Sequence, residues 1–206
     1  MREHDAWAAG HLLIGVDEAG RGPIAGPVVA AAVVFPPYSG ALAGVRDSKT
    51  LSAERRVLLD SDIRAAALAI GIGAASVHEV DALNIRRATA LAMRRAILRL
   101  RTRLPDRSHR ILLDGLPMPE VGLPHEALID GDALCHAIAA AGILAKQVRD
   151  RLMTRLHARY PTYAWSGNMG YGTAAHLAAL RAHGATPHHR TTFAPVSQLA
   201  AVLRAT

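Results

Sequence analysis

Cysteine is nearly missing from this chain: Cys135 is the only one among 206 residues. No disulfide can form within the chain, and a reducing compartment is the expected setting. Cys135 falls in an apolar helical stretch, where a buried structural thiol is the expectation rather than a nucleophile. Aromatic residues make up only 4%, and the excess of apolar residues is Ala, Leu, Ile and Val, a composition that suits helices packed on a sheet. There is no long hydrophobic run: residues 28–35 are too few for a helix that must cross a bilayer with about 20 residues. The N-terminal MREHDAWAAGH is polar and carries acids, unlike a secretory leader. A soluble, cytoplasmic protein without a membrane association is the resulting expectation. Lysine is also scarce, at positions 49 and 146 only, yet the formal charge is +7 because arginine is abundant. A basic balance fits a polyanionic partner, and it fits equally a bias toward arginine and alanine codons. No repeat, low-complexity linker or charge block divides the chain, whose length suits one domain with a full core or one domain plus a small appendage.

Apolar runs and punctuation give an α/β order. Residues 12–16 read as a buried strand stopping at Asp17-Glu18, and Gly20, Gly22, Pro23, Gly26 and Pro27 force a loop before a second strand over 28–35. Ser52 is placed to cap a helix over 53–67, with Glu54 near the positive end of its dipole. Residues 68–76 read as a third strand, and 80–104 as one helical stretch with arginines on the face opposite its apolar residues. Residues 111–113 form a fourth strand ending at Asp114-Gly115, and 127–129 a short fifth before Asp130-Gly131-Asp132. Residues 133–160 are expected to be mostly helix, 161–172 loop, 173–183 helix, and 195–203 a last helix begun by Pro195.

The carboxylates are the most informative pattern. Asp17 ends one apolar strand with Glu18 beside it, Asp114 ends another, and Asp132 follows a third short apolar run. Open α/β sheets place their sites at strand ends, so these acids are expected to converge. Converging carboxylates repel and raise one another's pKa. A divalent cation removes that cost, and hard oxygen donors select Mg²⁺ or Mn²⁺. Two such ions can clamp the attacking and leaving oxygens of a phosphoryl displacement. Each acid taken alone also reads as a turn or cap residue, Asp132 above all. The loop Gly20-Arg21-Gly22 lets backbone approach a phosphate or sugar closely, with a guanidinium between the glycines. It is neither a P-loop nor a dinucleotide fingerprint, and a tight structural turn explains it as well.

The arginines at 86, 87, 94, 95, 99, 101 and 103 read either as a solvated face or as a non-specific phosphate surface. His188-His189-Arg190 lacks zinc spacing and reads as a packing or backbone-contacting segment. Tyr163 and Trp165 read as core, and Lys146 as either a phosphate contact or a helix residue with its head in solvent.

The stretch GVDEAGRGPIAGPVVAAAVVF resembles the bacterial type-2 ribonuclease H family, ribonuclease HII. Asp47-Ser48-Lys49-x-Leu51-Ser52, HEVDALNIRRATALAMRRA, LLDG, GDALCHAIAAAGILAKQVRDRLM, GYGTAAHL and HGATPHHRTTFAPV follow in that family's order, so the likeness runs from about residue 11 to 203. The resemblance implies a ribonuclease H-like mixed sheet flanked by helices. It implies a catalytic core over 1–155 and a helical C-terminal substrate-contacting part over 156–206, together one compact unit. It implies that Asp17, Glu18, Asp114 and Asp132 bind two divalent ions, Mn²⁺ or Mg²⁺. It implies further that Gly20, Arg21 and Gly22 sense the 2′-hydroxyl, that Tyr171 stacks beside the RNA–DNA junction, and that Ser48 and Lys49 lie near the nucleic-acid backbone. The implied activity is endonucleolytic hydrolysis of RNA in RNA–DNA hybrids and 5′ of ribonucleotides in duplex DNA, leaving 3′-hydroxyl and 5′-phosphate ends. A monomer lying across one face of its duplex is the expected form. The chain departs from the family at Asp130, where lysine is common, at Gly142, where serine is common, at Met169, where lysine is common, and at Leu116, where asparagine is common. A different metal-dependent nuclease or phosphotransferase and a non-catalytic nucleic-acid binder are the alternatives.

Overall fold

The computed structural model describes residues 2–45, 51–104 and 107–205. Among these, five strands form one mixed sheet in the order β3-β2-β1-β4-β5. The strands are β1 (Leu12–Ala19), β2 (Val28–Val34), β3 (Ala69–Ala75), β4 (His109–Asp114) and β5 (Glu126–Leu128). β1, β2 and β3 are antiparallel neighbours, whereas β1, β4 and β5 run parallel. The sheet is covered on both faces, which is why β2 reads as an unbroken apolar run rather than an alternation.

The two faces sort the residues of β1 by parity. Leu12, Ile14 and Val16 pack with Ala88, Ala92, Met93, Ile97 and Leu100 of α4 (Ile85–Arg101). Leu13 packs on the other face with Ala137, Ile138, Ala141 and Leu144 of α6 (His136–Arg159). Side chains alternate along a strand, so Asp17 inherits the α6 face from Leu13. In β4, Ile111 and Leu113 belong to the α4 cluster and Leu112 to the α6 cluster, so Asp114 also inherits the α6 face.

Several element boundaries differ from the sequence reading, each for a local reason. The single stretch expected over 80–104 is two helices, α3 (Val77–Leu83) and α4. Ser76 and Glu79 form a capping box at the start of α3. Asn84, at φ 69°, breaks the path and caps α4 through the Arg87 amide at 3.1 Å. The helix expected from 133 is likewise split: α5 (Gly131–Leu134) ends at Cys135, whose extended backbone lets α6 start afresh. The N-terminal segment forms α1 (Arg2–Ala8), which the sequence reading did not anticipate. Its buried Glu3 accepts hydrogen bonds from the Ala137 amide (2.9 Å) and the Cys135 thiol (3.2 Å), joining α1 to the start of α6. Cys135 is buried as expected, and burial pushes its thiol far up. The helix α2 (Ala53–Ala66) starts at Ser52, whose hydroxyl accepts from Arg55.

The arginines of α4 and of the turn after it are exposed or half-buried, as a solvated face would have them, and three of them also bind backbone. β3 is an edge strand, and Arg95, Arg99 and Arg103 donate to the carbonyls of Ala74 (2.8 Å), Ile72 (2.6 Å) and Ile70 (3.1 Å). Four residues of helix rise about 6 Å, and two residues of strand rise about 6.6 Å, so the two rows stay in step. Gly71 and Gly73 make this possible, because a Cβ at either would meet α4 backbone. An exposed ladder edge invites another strand, and these guanidiniums occupy it.

Beyond α6 come α7 (Trp165–Asn168), α8 (Ala174–His183) and α9 (Ala194–Ala205). They build two small apolar clusters around residues of the β1–β2 connection: Ala25 with Met153, Tyr163 and Trp165, and Ile24 with Leu180 and Val196. Tyr163 and Trp165 are therefore core, as expected. No helix among the described residues is long and apolar enough to cross a membrane.

Candidate active site

The parallel register of β1 and β4 pairs Val16 with Leu113, so Asp17 and Asp114 are the next residues side by side. Asp114 Oδ1 accepts the Gly131 amide at 2.9 Å, which ties the end of β4 to the first turn of α5, where Asp132 sits. Asp130, not Asp132, occupies the N-cap position of α5, in a left-handed conformation and with no side-chain cap. Glu18 follows Asp17 and receives Arg21 at 3.2 Å.

These acids share one field. Burial, then the charges of Glu18 and Asp114, hold the Asp17 carboxyl well above the usual carboxylate range. The Glu18 amide, 2.6 Å from Asp17 Oδ1, opposes the rise, and Asp132 adds to it. Asp17 thus feels the charges of the other three acids. Among the described residues no three histidine, cysteine or acidic side chains form a ready-made cation cage. The acids lean instead on protein partners: Asp114 on Gly131, Glu18 on Arg21, and Asp17 on α6. At that contact α6 carries Gly142, and a Cβ there would collide with the Asp17 carboxylate. The departure from serine at this position therefore has a steric meaning in this chain, since it gives Asp17 a seat against the helix.

Glu18 and Asp114 open onto a groove of about 580 Å³ that is also lined by Gly20, Arg21, Gly22, Arg56, Lys146, Arg149 and Tyr171. Lys146 is held by Asp150 at 2.8 Å. Arg21, Gly22 and Tyr171 are exposed on this groove, and a Cβ at Gly22 would stand 3.6 Å from the Tyr171 ring. The loop and the aromatic ring predicted to act together thus line one groove as neighbours. Ser48 and Lys49 lie outside the described residues.

Two buried arginines lie under the loop. Arg149 donates to the carbonyls of Pro27 (3.0 Å), Ala25 (3.1 Å) and Met169 (2.9 Å). Arg190 donates to Gly20 (2.6 Å), Arg21 (2.8 Å) and Gly26 (3.0 and 2.8 Å). Gly20 has φ +96°, and a Cβ there would strike the Arg149 guanidinium.

A histidine relay holds Tyr171 from behind. The Thr186 amide donates to His189 Nδ1 at 3.0 Å, so the proton of that ring is on Nε2. Nε2–H then donates to His176 Nε2 at 3.0 Å, which also receives Trp165 Nε1–H at 3.0 Å. His176 must carry its proton on Nδ1, donated to the Tyr171 carbonyl at 2.8 Å. Both rings are therefore neutral. Burial pushes both down, and the neighbouring His176 and His188 rings help take His189 to about 4.

Sequence reasoning marked Gly142 only as a departure, and read His189 and Arg190 as a packing or backbone-contacting segment, which the buried Arg190 and its bonds to loop carbonyls bear out; it missed Arg149 and His176 as parts of this site. The one available signal was spacing: 142, 146 and 149 fall on one face of a helix.

The sequence pattern of the family described as Ribonuclease HII matches residues 14–196. The chain is 56% identical over 189 residues to a ribonuclease HII of Sphingopyxis alaskensis, covering 92% of each. It is 52% identical over 198 residues to a ribonuclease HII of Delftia acidovorans, covering 96% of this chain and 82% of that one. Among solved structures, ribonuclease H2 from Pyrococcus horikoshii OT3 matches with a TM-score of 0.73 at 23% identity, over 95% of this chain and all of the other, a likeness of fold.

Proposed function

The chain belongs to the ribonuclease HII family and is an endoribonuclease of RNA–DNA hybrids, and from that premise we propose how its residues divide the work. Asp17, Glu18, Asp114 and Asp132 hold two divalent ions, Mn²⁺ or Mg²⁺, with Asp132 completing the second position. The carrying observation is the placement of Asp17 and Asp114 side by side at the ends of parallel strands, with Asp132 in the turn that Asp114 ties down: a buried carboxyl beside other acids is relieved by a hard cation. Two such ions, when bound, supply a water made nucleophilic at neutral pH and neutralise charge on the leaving 3′-oxygen. Products are a 3′-hydroxyl and a 5′-phosphate.

The remaining residues read the substrate. Only the 2′-hydroxyl separates RNA from DNA locally. The Arg21 and Gly22 amides, from which no described group accepts, hydrogen-bond that hydroxyl without needing a base. The Tyr171 ring, half exposed beside them, stacks on the next sugar, where a second 2′-hydroxyl would obstruct it. Recognition of this kind extends cutting to the 5′ side of a single ribonucleotide in duplex DNA. Its use in the cell is removal of misincorporated ribonucleotides and primer remnants. Lys146 on the groove wall, and Ser48 and Lys49, meet the phosphate backbone, with one chain lying across one face of the duplex.

The test is hydrolysis of an end-labelled RNA–DNA hybrid beside double-stranded RNA and DNA of the same sequence, with Mg²⁺, Mn²⁺ or EDTA. Cutting of the hybrid alone, with 3′-hydroxyl ends and dependence on the metal, is expected. Equal cutting of DNA, or cutting that survives EDTA, contradicts the reading.

A further inference from the structure

We propose that Arg149 and Arg190 are positioning residues that hold the Gly20-Arg21-Gly22 loop and Tyr171 as one rigid recognition unit, so that they determine discrimination of ribonucleotide from deoxyribonucleotide rather than hydrolysis. The inference rests on the reading of that loop and ring given above.

The connection between β1 and β2 has a backbone polarity that its own sequence does not explain. Its carbonyls at Gly20, Arg21, Ala25, Gly26 and Pro27 all point inward onto the two guanidiniums. The Ile24 carbonyl also points inward, onto the Arg190 amide at 2.8 Å. Among the described residues nothing accepts from the amides of Arg21 and Gly22, and both residues are exposed. A peptide whose carbonyl is fixed on one side presents its neighbour's N–H on the other, so inward carbonyls specify outward donors. Arg149 adds the second half of the unit: the guanidinium that holds Ala25 and Pro27 also holds Met169, two residues before Tyr171. Gly170 closes the same joint, since its carbonyl accepts from Ile24 at 2.9 Å. The distance between loop and ring is thus held by Arg149 together with this backbone joint.

The chemistry of the cradle selects arginine. Both side chains are buried, and among the described residues their hydrogen bonds go to carbonyls and none to a carboxylate. A planar fork reaches three carbonyls in fixed directions, which an ammonium cannot do. The pair also leaves positive charge directly behind donors that face a polyanion. Burial, and then the charge of Arg149, lowers Arg190 to about 9, still protonated at neutral pH.

The experiment compares native chain, Arg149→Lys and Arg190→Lys. Binding by fluorescence anisotropy is measured, without divalent ion, to a DNA duplex containing one ribonucleotide and to the all-DNA duplex. Rates are measured on an RNA–DNA hybrid with Mn²⁺, separating kcat from KM. The expected result is a fall of tenfold or more in the binding ratio, with KM raised and kcat on the hybrid changed less than threefold. An unchanged ratio in a folded variant, or a loss that is equal on both duplexes and in kcat, overturns the proposal. Where a lysine variant does not fold, Arg149→Ala is measured with millimolar ethylguanidinium: restored discrimination supports the cradle, and no restoration in folded protein contradicts it. Absence of any preference in the native chain overturns the loop reading and this inference together, whereas preference lost only in the variants supports both.

Discussion

Two helices cover opposite faces of one sheet, and both sides direct arginine at backbone carbonyls, with opposite consequences. On the α4 side, Arg95, Arg99 and Arg103 occupy the carbonyls of β3 and close an edge. On the α6 side, Arg149, with Arg190 beside it, occupies the carbonyls of a loop and turns that loop's donors outward beside the acids. The same hydrogen bond ends a surface in one place and creates one in the other. Arginine content therefore says little about a binding face until the acceptor of each guanidinium is known.

The strongest way to separate the sides is Asp17→Asn. Cleavage is expected to fall by about a thousandfold or more, in line with losses seen when a catalytic group acting as a unit is removed. The metal-free variant is also expected to be more stable than the native chain at pH 7. The sign follows from linkage: a carboxyl raised in the folded state contributes stability below its unfolded value, near 3.8, and that contribution is lost as pH rises through the raised value. Asparagine does not titrate, so its advantage appears at neutral pH and fades toward pH 3. Thermal melts at both pH values check this, and destabilisation at pH 7 would refute the charge account.

The histidine relay behind Tyr171 gives the next effect. His189 binds its proton at about 4 when folded and near 6.5 when unfolded, so stability falls as pH drops from 6.5 to 4, by about 3 kcal/mol for a shift of this size. Melts of native chain and His189→Gln across that window are expected to converge at pH 4. A native chain whose stability is flat between pH 6.5 and 4 would contradict the neutral relay.

Gly142→Ala sharpens the α6 side further. The added Cβ pushes the Asp17 carboxylate off the helix, while helix propensity improves by about 1 kcal/mol. Calorimetric titration with Mn²⁺ is expected to show a severalfold change in affinity; an identical isotherm would mean that Asp17 does not rest there.

Arg99→Ala is the smallest effect and the control for the α4 side. Loss of one exposed charged hydrogen bond is expected to lower stability by about 1 kcal/mol. Cleavage should be unchanged, and a loss of activity matching that of Arg149→Lys would erase the distinction between the two sides.

Much of this was legible in the sequence where local chemistry decides structure. The apolar runs before Asp17 and Asp114 end in strands because burial of both sheet faces requires them, and the acids follow from that placement. Gly20 and its neighbours had to be a loop. The break at Asn84 was hidden because helix periodicity continues across it, and α1 was hidden because its anchor, Glu3, meets a partner 134 residues away. Arg149 was hidden for a similar reason: two of its three acceptors are main-chain atoms more than 100 residues distant, which no side-chain pattern records; Arg190 was read only as part of a packing or backbone-contacting segment, and its acceptors in the loop lie still further off. Ser48 and Lys49 rest on family resemblance alone.

The most direct test of the whole account is cleavage of a labelled DNA duplex containing one ribonucleotide, with Mg²⁺ and with Mn²⁺, by the native chain and by Asp17→Asn. A single cut on the 5′ side of the ribonucleotide, lost in the variant, is the expected result. Binding of the duplex without any cut by the native chain, or cutting that persists in Asp17→Asn, would contradict it.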